Sequence, residues 1–208
     1  MRQDTSTPRS RSEGRAPPIP ALRTSVTDAI TQVVLNELAE VGYQKLTMDG
    51  VAKRAGSSKP TLYRRWSSKE EMVIAAVATV SQPVIPEDDG RDLWDRLLEL
   101  TRAVHVWLSD PLVHRIMPDL LAEGLRSDAL DRAHTHYITE PRREASKATM
   151  ATARERGEIR QDINIEFVLD VLAAPIYWRL CVLRKEVDDD YLQTLTDFVH
   201  RELTTRDV

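Results

Sequence analysis

Cysteine is almost absent from this chain of 208 residues: Cys181 stands alone. One thiol cannot build an intramolecular disulfide framework, so the fold must rest on a core, and the usage fits a reducing cytoplasm. Glycine is sparse, at seven residues, and forms no Gly-rich phosphate loop. No run of about 18 apolar residues exists, which leaves no membrane-spanning helix. The N-terminal arginines are followed by no apolar stretch, so a secretory signal is excluded. Strand-type alternation is missing, as are internal repeats. There is no HExxH, no Ser/His/Asp arrangement and no paired carboxylates, so an α-helical enzyme working through its His and acidic residues is only a remote alternative. Nothing implies a cofactor.

What is present is helical and unevenly charged. Hydrophobic residues make up 41% and charged residues 30%, the composition of a globular protein with a real core. The net charge of -4 hides an asymmetry. Residues 1–81 carry 12 Lys and Arg against 8 Asp and Glu, and residues 82–208 carry 17 against 25, giving +4 and -8. A basic part beside an acidic one suits a polyanion partner at one end only.

Three regions follow from the pattern. Residues 1–24 are rich in Ser, Thr, Pro and Arg, lack apolar periodicity and are expected to be disordered, either as a plain tail or as a basic arm for phosphates or the minor groove. Residues 25–81 hold four short helices. Val26, Ile30, Val33, Val34, Leu38 and Val41 form one apolar stripe, which Gly42 ends. Thr47 caps a second helix through about Ala55, Gly56 supplies a turn, and Ser57 or Ser58 caps a third with Pro60 in its first turn and Leu62 and Trp66 facing inward. Ser67-x-x-Glu70 and Ser68-x-x-Glu71 both match a capping box for a fourth. Pro83, Pro86 and Asp88-Asp89-Gly90 break the pattern and mark the domain junction.

Residues 82–208 form a larger helical domain. Helices are expected over 91–109, 112–126, 127–156 with an interruption or kink at Pro141, 165–185 with a kink at Pro175, and a closing stripe from Tyr191 to Leu203. The fold class is therefore all-α: an N-terminal helix-turn-helix unit and a C-terminal helical domain.

Two short helices around a tight turn, the second bearing cations and small polar groups, are how a protein presents side chains to base edges in the major groove. Ser58, Lys59, Thr61 and Arg64 point outward on that helix, with Arg65 beside them. Arg can donate twice to guanine, and a Thr methyl can meet a thymine methyl. Lys59 suits a phosphate, as does the Tyr63 hydroxyl, and the helix starts at Thr47 and Ser68-Lys69 offer backbone N–H groups.

The stretch LTMDGVAKRAGSSKPTLYRRWSSKEEMV resembles the DNA-binding domain of the TetR/AcrR family of bacterial transcriptional regulators. The matching positions are Gly42-Tyr43, Thr47, Val51-Ala52, Ala55-Gly56, Ser58-Lys59, Leu62-Tyr63, Trp66 and Ser68-Lys69-Glu70. The resemblance covers about a quarter of the chain and departs at Ser57, where an apolar residue is usual, and at Arg64-Arg65, where aromatic and His residues are common. It implies a dimer that inserts its third helix into a palindromic operator on double-stranded DNA. It also implies phosphate contacts for Thr47, Tyr63 and Lys69, and base-facing roles for Ser57, Ser58, Lys59, Thr61 and Arg64.

For the C-terminal domain the residues themselves give two expectations. The helix from Ile165 is apolar on two faces, and with the stripe from Tyr191 it suits a four-helix interface across a homodimer axis, with intramolecular burial as the alternative. A pocket for a small apolar or amphipathic effector is expected among the helices between Leu93 and Trp178, with Trp94, His105, Trp107, His114, Met117, Tyr137, Phe167, Tyr177 and Trp178 as candidate lining. The pair His134-x-His136 is spaced wrongly for a metal on one helix face, and Cys181 reads as inert core. A cytoplasmic, ligand-responsive regulator is the leading reading, a repressor or else an activator or ligand-independent regulator of the same fold.

Overall fold

The computed structural model describes residues 21–82 and 90–204, with side chains from Thr27 onward. Among the described residues there is no strand, and no helix is long and apolar enough to cross a membrane. The N-terminal helices are α1 (Ala21–Lys45), α2 (Met48–Arg54), α3 (Lys59–Tyr63) and α4 (Lys69–Thr79). Then come α5 (Leu93–Ser109), α6 (Pro111–Gly124) and α7 (Asp128–His134), which runs through a π-helical segment (Thr135–Thr139) into α8 (Glu140–Glu155). The described residues end with α9 (Ile165–Tyr177), a second π-helical segment (Trp178–Val182) and α10 (Asp189–Thr204).

Local chemistry explains the boundaries. Thr47, Ser58 and Ser68 each sit in extended backbone and accept the N–H three residues on, from Gly50, Thr61 and Glu71. The α4 cap differs from a reciprocal box. The Glu71 carboxylate takes the N–H and hydroxyl of Ser67, both at 2.7 Å, and Glu70 instead accepts the Tyr43 hydroxyl at 2.9 Å. Residues 21–24, assigned by sequence to the disordered arm, belong to α1, and the rest of that assignment, residues 1–20, lies outside the described residues. The junction prolines Pro83 and Pro86 also lie outside them, whereas Gly90 adopts φ 82.

Gly42 breaks α1 without ending it. Its φ of 78 and ψ of 168 lie in a region essentially reserved for glycine, and one more turn follows to Lys45. The break aims the Tyr43 N–H at Asp119 of α6, whose Oδ2 accepts it at 2.6 Å. A β-carbon at Gly42 would stand 3.3 Å from that same oxygen. The Gln44 amide meets Glu123 of α6 one turn further.

Core packing crosses the sequence boundary at residue 82. One cluster joins Ile30, Val34, Leu38, Leu46, Leu62, Trp66, Met72 and Val77 of the head to Ile116, Met117, Leu120 and Leu130 of α6 and α7, and to Ile138. The other joins Leu97 and Leu100 of α5 to Met150, Leu169, Leu172, Ile176, Leu192 and Val199 of α8, α9 and α10. Trp107 packs against both. Each fully buried Leu contributes about 1.5–3 kcal/mol, so the residues that α6 and α7 place in this cluster fasten them to the head.

Candidate nucleic-acid interface and ligand cavity

Helix α3 is little more than a single turn. It stops at Tyr63, where Arg64 takes the C-cap position, instead of running on to Trp66. Leu62 and Trp66 still turn inward, at 0% and 7% exposure. Ser58, Lys59, Tyr63 and Arg64 are exposed, and Ser57 and Thr61 half-buried. Ser58 Oγ and Thr61 Oγ1 are hydrogen-bonded at 2.9 Å, so the two hydroxyls form one polar edge.

The cations divide by partner. Lys59 is ion-paired with Asp49 of α2, which raises its pKa. Arg65, placed beside the outward set by sequence, turns back. Its Nε donates to Thr27 Oγ1 at 3.3 Å and its Nη1 to the Thr61 carbonyl at 3.3 Å. Arg64 has only a long contact from Nη2 to Thr61 Oγ1, 3.5 Å, and no carboxylate partner among the described residues. Lys69 lies 4.1 Å from the Tyr43 ring centroid and reaches the Gln44 carbonyl at 3.5 Å, and burial lowers its pKa. Tyr43 shifts the other way, upward, through burial and then its bond to Glu70.

Behind this surface a cavity of about 930 Å³ opens between the two cores. Its size is at the upper end for small-molecule sites. The stripe Leu100, Ala103, Val104, Trp107 and Leu108 forms one wall, and Met117, Leu121 and Ile138 a second. Leu169, Leu172, Ala173, Tyr177 and Trp178 form a third, with Tyr191 beside them.

Four of the lining residues expected from sequence are there: Trp107, Met117, Tyr177 and Trp178. The other five are not. Trp94 is spent on α10, its Nε1 donating to Asp197 at 2.6 Å. His105 lies off the helical stripe that faces the cavity, and His114, three residues into α6, falls short of it. Tyr137 is 58% exposed, stacked edge-on against His136, and Phe167 is 65% exposed. Each of these five neighbours a residue that does point inward, and one position on a helix is a rotation of about 100°.

Sequence reasoning missed the polar lining. His134, Thr139, Arg142, Arg143, Ser146 and Asp170 all face the cavity. The available signal was Pro141, together with Pro175: a proline inside a long helix frees a carbonyl, and here each lies within three residues of a π-helical segment bordering the cavity. Arg143 is neutralised, bound to Asp170 at 2.6 Å and to Glu166. Arg142 is not. Its guanidinium lies 4.0 Å from the Trp107 ring centroid, and its Nη1 donates to the carbonyls of Ser81, at 3.4 Å, and Gln82, at 3.2 Å. Burial pushes its pKa down to about 10. The Trp107 Nε1 in turn donates to Ser81 Oγ at 3.3 Å, so the end of α4, α5 and α8 meet in one knot.

His134 Nδ1 approaches Thr139 Oγ1 at 3.4 Å, and its Nε2 is buried without a partner. Burial, against a weaker pull from Asp131, lowers its pKa below 6.5. The unfolded chain therefore binds this proton first, so the contribution to stability is complete above about pH 6.5 and is lost as pH falls through the lower folded value. A His134→Phe variant is expected to lose less melting temperature than the wild type between about pH 7.5 and pH 5.5. Parallel thermal melts check it, and equal losses contradict it. No cluster suited to a metal ion occurs among the described residues. Cys181, on the second π-helical segment, is half-buried instead of fully core, with its pKa raised by burial.

A capped, short helix on a four-helix head, joined to a helical body, defines a DNA-binding protein of the helix-turn-helix class. Comparison with known proteins makes this specific. Residues 30–76 match the family profile of bacterial regulatory proteins, tetR family, and residues 86–199 match the tetracyclin repressor-like C-terminal domain. The chain is 31% identical over 176 residues to a DNA-binding transcriptional repressor TetR of Mycobacteroides abscessus, covering 82% of this chain and 90% of that one. It is 27% identical over 168 residues to the HTH-type transcriptional regulator YdeS of Bacillus subtilis, covering 80% and 84%. Salmonella enterica GusR shares the fold with a TM-score of 0.68 at 24% identity, over 86% of this chain and 95% of its own. The chain belongs to the TetR family of transcriptional regulators, and it is a regulator, not an enzyme.

Proposed function

We propose that this regulator is a repressor, released from a palindromic operator when a small apolar or amphipathic molecule enters the cavity. The observation that carries the reading is the position of the cavity: it lies between the core that contains the DNA-reading head and the core that does not, and its wall includes Trp107, which packs against both. A molecule there touches α6 through Met117 and reaches the end of α4 through Arg142 and Ser81. A coupling of about 1–3 kcal/mol between the two sites changes operator affinity by 5–150-fold, enough for a switch. The relative named a repressor supports the direction of control.

On the operator, Arg64, Ser58 and Thr61 meet base edges, with Ser57 and Lys59 beside them, and Thr47, Tyr63 and Lys69 hold phosphates. Lys59 must exchange Asp49 for the DNA. The dimer forms through α9, the second π-helical segment with the residue after it, and α10, where Phe167, Trp178, Val182, Leu183 and Phe198 are exposed large hydrophobics. A reporter fused to the promoter beside the gene tests the sign of control. Expression rises in a deletion strain if the protein represses, and a fall overturns the repressor reading.

A further inference from the structure

We propose that the cavity is built for an apolar molecule carrying a single anionic head group, a carboxylate being the simplest, with the Arg142 guanidinium as its receptor. This rests on the cavity being the effector site and adds the chemical class of the effector.

The charge balance of the wall points to it. Three charged side chains line the cavity: Arg142, Arg143 and Asp170. Arg143 and Asp170 cancel, bonded to each other at 2.6 Å. The carboxylate of Glu166 is likewise occupied, by Arg143 and Lys147. Arg142 is left as the one uncompensated charge on a lining that is mainly Leu, Val, Met, Ile and aromatic side chains, with the hydroxyls of Thr139 and Ser146 and the His134 imidazole as its other polar groups. It forms no ion pair among the described residues, and only Nη1 is used, on the two backbone carbonyls. Its Nε and Nη2 have no protein acceptor there. A half-buried guanidinium on the wall of a mainly apolar space, with Nε and Nη2 taking no protein acceptor, can receive a planar oxyanion in bidentate fashion. A cation would face Arg142 directly, while the only carboxylate on the wall is already spent on Arg143.

The same residue links occupancy to the head. The bonds from Nη1 to Ser81 and Gln82 hold the segment that leaves α4, and the Trp107 face supports the guanidinium from below. A head group that draws the guanidinium toward the cavity weakens those bonds, so charge recognition and release of the α4 end are one movement.

The test is calorimetric titration of the purified full chain, without DNA, by three probes sharing one apolar body: decanoate, decanol and decyltrimethylammonium. Decanoate is expected to bind about tenfold or more tighter than decanol, with the cation weakest. In Arg142→Met the preference for acid over alcohol should disappear while decanol still binds, which reports an intact cavity. Arg142→Lys, which keeps the charge and loses the fork, should retain part of the preference. Equal binding of acid and alcohol by the wild type, or a preference for the cation, overturns the proposal and leaves the effector cavity standing. Binding of none of the three overturns both this proposal and the effector reading on which it rests.

Discussion

Replacing Trp66 by alanine is expected to destabilise the chain by about 3–5 kcal/mol, the cost of deleting a buried indole and leaving a cavity that its surroundings cannot refill. Trp66 is 7% exposed and lies in the cluster that joins the head to α6 and α7. The damage therefore does not stay in the head. The same cluster fixes Ile116, Met117 and Leu120, and Met117 is part of the cavity wall. For a chain of this size the loss corresponds to a fall of roughly 6–20 °C in melting temperature. Thermal unfolding by circular dichroism checks it, and a midpoint within about 2 °C of the wild type would mean that Trp66 packs only locally.

Arg64→Ala is expected to cost about 1–3 kcal/mol of operator binding, about fivefold to more than a hundredfold in affinity, and little of the binding to unrelated DNA. The expectation comes from its partners. Lys59 is held by Asp49, and Arg65 by Thr27 and the Thr61 carbonyl, so Arg64 is the cation of this turn that no carboxylate or carbonyl engages among the described residues. It is also exposed, so its removal leaves no buried group unpaired and the fold is spared. Affinity for operator and for scrambled duplex, measured at the same salt, separates the roles. An equal loss on both assigns Arg64 to phosphates.

Local chemistry made much of the head legible. Thr47, Ser58 and Ser68 cap the helices read for them because an N-cap acts within three residues, and Gly42 breaks α1 because its φ excludes other side chains. What failed was decided at long range. Glu70 leaves the expected box for Tyr43, twenty-seven positions away, and no local pattern carries that information. Arg65 turns inward because Thr27 waits on α1.

The cavity was half legible for a related reason. Trp107 and Met117 fall on stripes that face inward, but Phe167 and Tyr137 differ from wall residues by a rotation that sequence does not resolve. Arg142 was invisible because an arginine on a charged helix reads as solvated. Only the packing of Trp107 and the carbonyls of Ser81 and Gln82 around it gives it another meaning. The two π-helical segments follow from Pro141 and Pro175, prolines legible as interruptions but not as widened turns.

The central claim is that α3 reads bases and that the rest of the molecule controls this reading. The most direct measurement is fluorescence anisotropy of purified protein on DNA from upstream of its own gene, at two salt concentrations and against scrambled competitor. The account predicts tight binding that survives competitor and weakens in the presence of a molecule that occupies the cavity. Binding that is weak, steeply salt-dependent and equally lost to scrambled DNA would contradict it.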